Sequence, residues 1–468
     1  MRCPGSPGWS RFVVVAFLGA VLPLAGASQP QPNTRSAPAQ SHNMRLVGFH
    51  DLFARPAYMP HIQQQGTRWI LYVAHHPPTP DTDTPQDNGT SILDVTDAGH
   101  PAFLAHIPGL APPNNEARSM RVCERNGRFY LLRSTGQVQF DIYDVNDPAQ
   151  PRHISTIGGR YTFTHKVNWE CETDTNGRSV AYLPVRDPAS GWRAPTLMLY
   201  DLADPAHPKF IRHFGLPGAA PGSQGAVPPR LHHAIVDRER KRVHIAYGCF
   251  TYGTYQIVDR DKLVNGDPAD LTSPSLGVAY QPSYWGVHSA LPFNGVAIPD
   301  LATDQEGVAG KVRDLTLVVG EADGNQCNRP RQVVRFFDVT EPSRATAISS
   351  WQVPESATGA CSKPGRFGPH APNESYTEPF YGKLVAIAYF NAGVRMVDIR
   401  DPFNLKEVAY YIPAATAKTY YCDEGCAAGA IQTNNAEVDS RGYIYIVDRA
   451  GTGMHILELT GDTRKIIE

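Results

Sequence analysis

The chain has 468 residues, a formal net charge of −2, 41% hydrophobic and 19% charged residues, with 40 Gly and 41 Pro. That length supports a large core, and a charge near zero gives no electrostatic basis for nucleic-acid binding or a polybasic membrane contact. Gly and Pro are too many for a helix bundle and too few for a low-complexity chain.

Arg2 and Arg11 precede an apolar run from Phe12 to Leu24, which is followed by Ala25-Gly26-Ala27. A basic start, a short hydrophobic stretch and a small-x-small site predict a secretory signal peptide over residues 1–27. No later segment approaches the roughly 20 apolar residues of a membrane span. A secreted or periplasmic protein without stable membrane insertion is expected. Residues 28–43, rich in Gln, Pro, Ser and Ala, read as a disordered leader, and 44–468 as the folded domain. In an exported chain the remaining cysteines default to disulfides. Cys422 and Cys426 flank Asp-Glu-Gly, a spacing suited to a small closed loop, and Cys327 and Cys361 form a second candidate pair.

One pattern recurs along the domain: an apolar strand ending in an acid, then a polar turn. Ile142-Tyr143-Asp144-Val145-Asn146-Asp147-Pro148 and Phe336-Phe337-Asp338-Val339-Thr340-Glu341-Pro342 are examples. The marked acids Asp94, Asp144, Asp201, Asp259, Asp338, Asp398 and Glu458 are spaced by 50, 57, 58, 79, 60 and 60 residues. Asp and Asn bond their own backbone in such turns, and Pro stops the ladder. A second strand precedes each copy, as in Val243–Tyr247 and Tyr443–Val447, with one further strand on either side. Four short antiparallel strands, seven times over, predict an all-β, seven-bladed β-propeller. Arg45–His50 reads as an orphan fourth strand that completes the last blade and closes the ring. An insertion from roughly Pro292 to Lys311 is expected as a loop on one face.

The run Asn391-Ala392-Gly393-Val394-Arg395-Met396-Val397-Asp398-Ile399-Arg400-Asp401-Pro402 resembles the LVIVD-repeat propellers, a family of exported bacterial proteins. The resemblance implies the propeller fold and export, and it assigns no activity. The fourth and seventh copies depart from the pattern by lacking the Asp-Pro turn.

In a propeller the first strand of each blade lines the central channel. Aligning the repeats on their second strands places His61, His233, His288 and His370 near the start of that first strand, with His165 close by. Met120 and Asn435 hold the position in the other two blades. Imidazoles converging from different blades are candidate ligands for a transition metal, iron or copper before zinc. Without a metal or partners, buried imidazoles leave polar atoms unpaired at a cost of about 1–3 kcal/mol each. The ligand type and symmetry resemble those of carotenoid-cleavage oxygenases and of selenium-binding, methanethiol-oxidase proteins, although neither family's motifs are present. Glu321, in Val319-Gly320-Glu321-Ala322-Asp323, is the candidate catalytic group, orienting an imidazole or accepting a proton. Glu170, Glu172, His75 and His76 are secondary candidates, and Trp169, Tyr284 and Trp285 are candidate walls of an aromatic pocket.

The expected function is metal-dependent chemistry on a small organic substrate, most naturally as an iron or copper oxidoreductase. A metal-activated water for hydrolysis or lyase chemistry is a further option. The alternative is a non-catalytic binding platform with a protein partner, its histidines plugging the axis. The sequence holds no Gly-rich phosphate loop, no Gly-x-Ser-x-Gly elbow and no haem-attachment motif.

Overall fold

The computed structural model describes residues 38–76, 87–111, 115–298, 310–419 and 430–468. The predicted signal peptide and the Cys422/Cys426 pair lie outside the described residues.

The marked acids shape the chain locally. Asp94 accepts a hydrogen bond from the Thr96 N–H at 2.9 Å, Asp144 from Asn146 at 3.1 Å and Asp201 from Ala203 at 2.9 Å. Asp338 accepts from Thr340 at 3.0 Å and Asp398 from Arg400 at 3.1 Å. Each is an Asx turn that ends one strand and starts the return. The fourth copy solves the same problem differently: Asp259 caps the helix Arg260–Asn265, accepting from the Lys262 N–H at 2.8 Å.

Between these turns the strands pair into antiparallel four-stranded sheets. The first joins Ala57–Gln65, Arg68–His75, Thr90–Asp94 and Ala102–Ile107 in sequence order. The largest sheet consists of two such units, Phe367–Ile412 and Thr433–Leu459, linked by the single residue pair Phe390 and Thr433. The strand expected at Arg45–His50 spans Met44–His50 and pairs antiparallel with Gly453–Leu459. Gln40–His42 departs from the expected leader: it pairs with Tyr410–Ile412, whose edge offers free backbone groups. Pro292 to Ala297, expected within the insertion loop, continue the strand Ser289–Ala297, and residues 299–309 lie outside the described residues.

Successive units pack face to face. Ile70, Tyr72 and Ile92 of the first unit meet Met120, Val122 and Leu131 of the next. On the opposite face Leu71, Val73 and Leu93 meet Tyr445, Val447 and Met454 of the last. Fully burying each such side chain is worth about 1.5–3 kcal/mol. Disulfides add Cys123–Cys171, which ties two adjacent units, and the expected Cys327–Cys361. Cys249 is also disulfide-bonded. Among the described residues no helix is long and apolar enough to cross a membrane.

Candidate metal centre

The first strands carry irregularities where they converge. In three of them one residue is extra: Tyr58 between the pairs Ala57–His75 and Met59–Ala74, His232 between Leu231–Tyr247 and His233–Ala246, and Asn434 between Thr433–Asp448 and Asn435–Val447. In a regular strand neighbouring side chains point to opposite faces, and a bulge re-aims one of them. A fourth strand breaks at His165–Val167, between the pairs Thr164–Val185 and Asn168–Tyr182. The break faces Pro184, which has no N–H to offer the ladder.

These irregularities gather four imidazoles from consecutive units. Ring centroids are 4.7 Å apart for His165 and His232, 4.1 Å for His232 and His288, and 4.4 Å for His288 and His370. Tyr58 completes the circle, its ring 5.8 Å from both His370 and His165. Its hydroxyl lies 3.3 Å from His165 Nε2.

The hydrogen bonds fix two tautomers. A carbonyl oxygen only accepts, so the Nδ1–H of His232 donates to the His288 carbonyl at 2.8 Å, and the Nδ1–H of His370 donates to the Asn434 carbonyl. Nε2 of each is then a lone-pair donor. His288 Nδ1 is 2.8 Å from Ser289 Oγ. Among the described residues, Nε2 of His288 and of His370 and Nδ1 of His165 are buried without a hydrogen-bond partner.

Glu321 stands among them. Its Oε2 is 4.0 Å from His288 Nε2 and its Oε1 3.7 Å from His370 Nε2, while Arg366 Nη1 donates to Oε1 at 3.0 Å. Ligand atoms of His288, His370 and Glu321 all lie within 4.8 Å of one another. These gaps are slightly wider than the roughly 3.3 Å between neighbouring ligands about 2.0 Å from a tetrahedral ion. His232, Cys249 and Glu321 form an overlapping group, but the disulfide removes Cys249 as a thiolate. Burial, then neighbouring imidazoles and cations, holds His165, His232, His288 and His370 well below the usual imidazole range. They are therefore neutral, which is the metal-binding form. Burial raises the Glu321 carboxyl against the pull of Arg366 and Arg449.

Of the residues expected from the sequence, His165, His288, His370 and Glu321 come together here. His61 and His233 do not join them. His233 Nδ1 lies 3.6 Å from Glu374 Oε1, and His61 faces Arg121 and Glu374. Burial brings both imidazoles to about 3. The bulge is the physical reason: it turns His232 toward the cluster and His233 toward Glu374. Asn434 likewise stands where Asn435 was expected, and Met120 is buried in the core.

The secondary candidates have structural partners. Glu170 accepts both Arg260 Nε at 3.0 Å and Nη2 at 2.9 Å, and Glu172 pairs at the surface with Arg238. His75 lies 2.8 Å from Ser91 Oγ, and the His76 ring stacks on Tyr58 at 5.6 Å. Trp169 Nε1 donates to Ser179 Oγ, Trp285 lies beneath Arg335 and Tyr284 is exposed. The aromatic rings against the imidazoles are instead Tyr58, Phe163 and Phe390.

Toward the far end of the same strands lies a cavity of about 470 Å³, lined by Arg121, Trp169, Asp237, Asn294, Glu374 and Tyr376 among others. Asp237 stands five residues beyond His232 on one strand, roughly 16 Å along it, whereas Glu374 brings the cavity wall to within 3.6 Å of His233.

No protein-family model matches the chain, and no curated protein matches it. Solved structures do. Sqt1 from Chaetomium thermophilum aligns with a TM-score of 0.52 at 9% identity, covering 90% of this chain and 99% of Sqt1. The chain folds as a β-propeller. Sqt1 bound to the N-terminus of the ribosomal protein L10 aligns at 0.49 and 9% identity, covering 89% of this chain and 99% of that one. The Cps50 (Swd1) β-propeller domain of Myceliophteria thermophila aligns at 0.49 and 11%, covering 90% and 100%. At such identities the likeness is one of fold alone, so any function of this propeller has to be argued from its own residues.

Proposed function

We propose that the propeller is a closed seven-bladed ring, completed by the strand Met44–His50, and that it holds a transition-metal ion between His165, His232, His288, His370 and Glu321. Its function in this reading is metal-dependent oxidation or reduction of a small organic molecule by an exported protein of the LVIVD-repeat type. The observation that carries the reading is the pair of buried, partnerless Nε2 atoms of His288 and His370, aimed at the Glu321 carboxylate. Two imidazoles and a carboxylate suit non-haem iron, and an imidazole-rich set suits iron or copper. Such an ion supplies redox chemistry, or a lowered pKa for bound water in the hydrolytic variant of this proposal.

This chain's own residues prepare the site. Backbone carbonyls of His288 and Asn434 orient two rings, burial keeps the imidazoles neutral, and Arg366 holds Glu321 in place. His61 and His233 are outside the ligand set of this proposal. Export is supported by the disulfides Cys123–Cys171 and Cys327–Cys361.

A second reading makes the propeller a non-catalytic platform that holds a protein partner. It is favoured by the satisfied side of the same cluster: His232, His370 and Glu321 each already bond a neighbouring blade, as a structural plug does. Metal analysis of the purified full chain beside His288→Ala/His370→Ala separates the two. The metal reading predicts bound iron or copper that the double variant loses. A native protein free of metal leaves the platform.

A further inference from the structure

The residue after His165 is a fully buried lysine. Lys166 Nζ donates to Glu374 Oε1 at 3.0 Å and lies 6.0 Å from the centroid of the Tyr58 ring. Glu374 Oε2 accepts from Arg121 Nη2 at 2.7 Å, so one buried carboxylate meets two cations. Burial alone would raise Glu374, but His233, Lys166 and Arg121 more than offset it and hold the carboxyl well below its usual range. Glu437 stands near Arg121 and Glu374, and burial pushes its carboxyl up to about 7, so it supplies only part of a counter-charge.

The break at His165–Val167 turns two consecutive side chains inward. His165 joins the imidazole circle, and Lys166 lies beneath it, acting electrostatically on His165, His232, His288 and His370 alike. Inside a protein the field of such a charge is weakly screened. Glu374 stands on the far side of Lys166 and also lines the 470 Å³ cavity.

We infer that Lys166 and Glu374 set the affinity and redox preference of the imidazole site: the lysine charge opposes a cation there and favours the lower oxidation state of a redox ion, and Glu374 moderates that opposition. The inference rests on the metal reading above. Lys166 bonds none of the proposed ligand atoms and acts through its field, as a positioning residue.

The test uses the full chain and its Lys166→Met, Arg121→Gln and Glu374→Gln variants, each checked for β-rich circular dichroism. Co²⁺ affinity is measured by competition with a chelator at one pH above 7, and reduction potential on copper-loaded protein. Lys166→Met binds Co²⁺ about tenfold more tightly with a lower copper potential, and Arg121→Gln shifts both in the same direction by less, through Glu374 alone. Glu374→Gln binds at least tenfold more weakly with a higher potential. Arg121→Gln keeps the test decisive where Lys166→Met fails to fold, because it removes the other cation on Glu374. Unchanged values, or shifts of one sign in all variants, overturn the inference while leaving the metal site standing. A native chain that takes up no Co²⁺ overturns the metal reading and this inference with it.

Discussion

His370 Nε2 lies 3.7 Å from Glu321 Oε1, and no hydrogen bond spans the gap. The Nδ1–H of His370 is committed to the Asn434 carbonyl, so its Nε2 points a lone pair at a carboxylate. Two electron-rich atoms facing each other in a buried site repel, and the Arg366 guanidinium on Oε1 offsets part of that repulsion. A proton on Glu321 would form an O–H···N hydrogen bond, which 3.7 Å is too long to be. The metal ion of the proposal would offset the rest, and Glu321→Gln tests it. The amide keeps the shape and loses the charge, so metal affinity falls about 10–100-fold with the fold intact. Isothermal titration with Zn²⁺ checks this, and equal affinity contradicts it.

Stability falls as the solution is acidified below neutrality. Burial holds His61, His233 and His244 at about 3, so the folded state keeps them neutral while the unfolded chain protonates each near 6.5. Each group's stabilising contribution is complete above the unfolded value and is lost as pH falls toward the folded one. The slope is about 1.4 kcal/mol per pH unit for each imidazole below 6.5. Glu437 works the other way, since burial raises it to about 7 and its protonation favours the folded state. Burial also raises Asp448 to about 6, with the sign of Glu437, and lowers His106 and His455 to about 4, with the sign of the other imidazoles. Five imidazoles outweigh two carboxyls, so Tm drops between pH 7 and pH 5. Differential scanning calorimetry across that range checks the sign, and a Tm that rises contradicts it.

The Cys327–Cys361 bond closes a loop of sequence separation 34, a constraint worth about 2–4 kcal/mol. Cys327→Ser/Cys361→Ser lowers the unfolding midpoint in guanidinium by that free energy divided by the m-value. A midpoint equal to the native one contradicts this.

The pairing of the chain's two ends is the seam of the proposed ring. A Cβ on Gly48 would lie 2.0 Å from the Ala98 carbonyl oxygen and 3.3 Å from Pro101. Gly48→Val therefore costs about 1–3 kcal/mol, as overpacking does. Deleting residues 38–50 bares the Gly453–Leu459 edge and drives association. Denaturant unfolding reads the first and size-exclusion chromatography the second, and a monomeric, equally stable deletion variant contradicts the seam.

Much of the fold was legible because the acids that end each repeat carry their own turn chemistry. Asp94, Asp144, Asp201, Asp338 and Asp398 each close the turn that the pattern implies. The site was legible in composition and misplaced in detail. Counting alternate residues along a strand assumes a regular ladder, and the bulges at Tyr58, His232 and Asn434 break that count. His233 was therefore expected where His232 stands. The Lys166–Glu374 pair joins residues 208 positions apart, which no local spacing reveals. Locally Lys166 follows Thr164 and His165 and precedes Val167 and Asn168, a mixed run in which no apolar pattern singles it out.

The adjacent histidines give the most direct test. His232→Gln and His233→Gln alter neighbouring positions of one strand, but only His232 faces the other imidazoles. Metal content of each full-length variant, after loading with Fe²⁺, Cu²⁺ or Zn²⁺ and desalting, separates them. The account predicts a single tightly held ion in the native chain and in His233→Gln, and its loss in His232→Gln. A native chain that retains none of the three metals contradicts it, as does metal lost from His233→Gln and kept by His232→Gln.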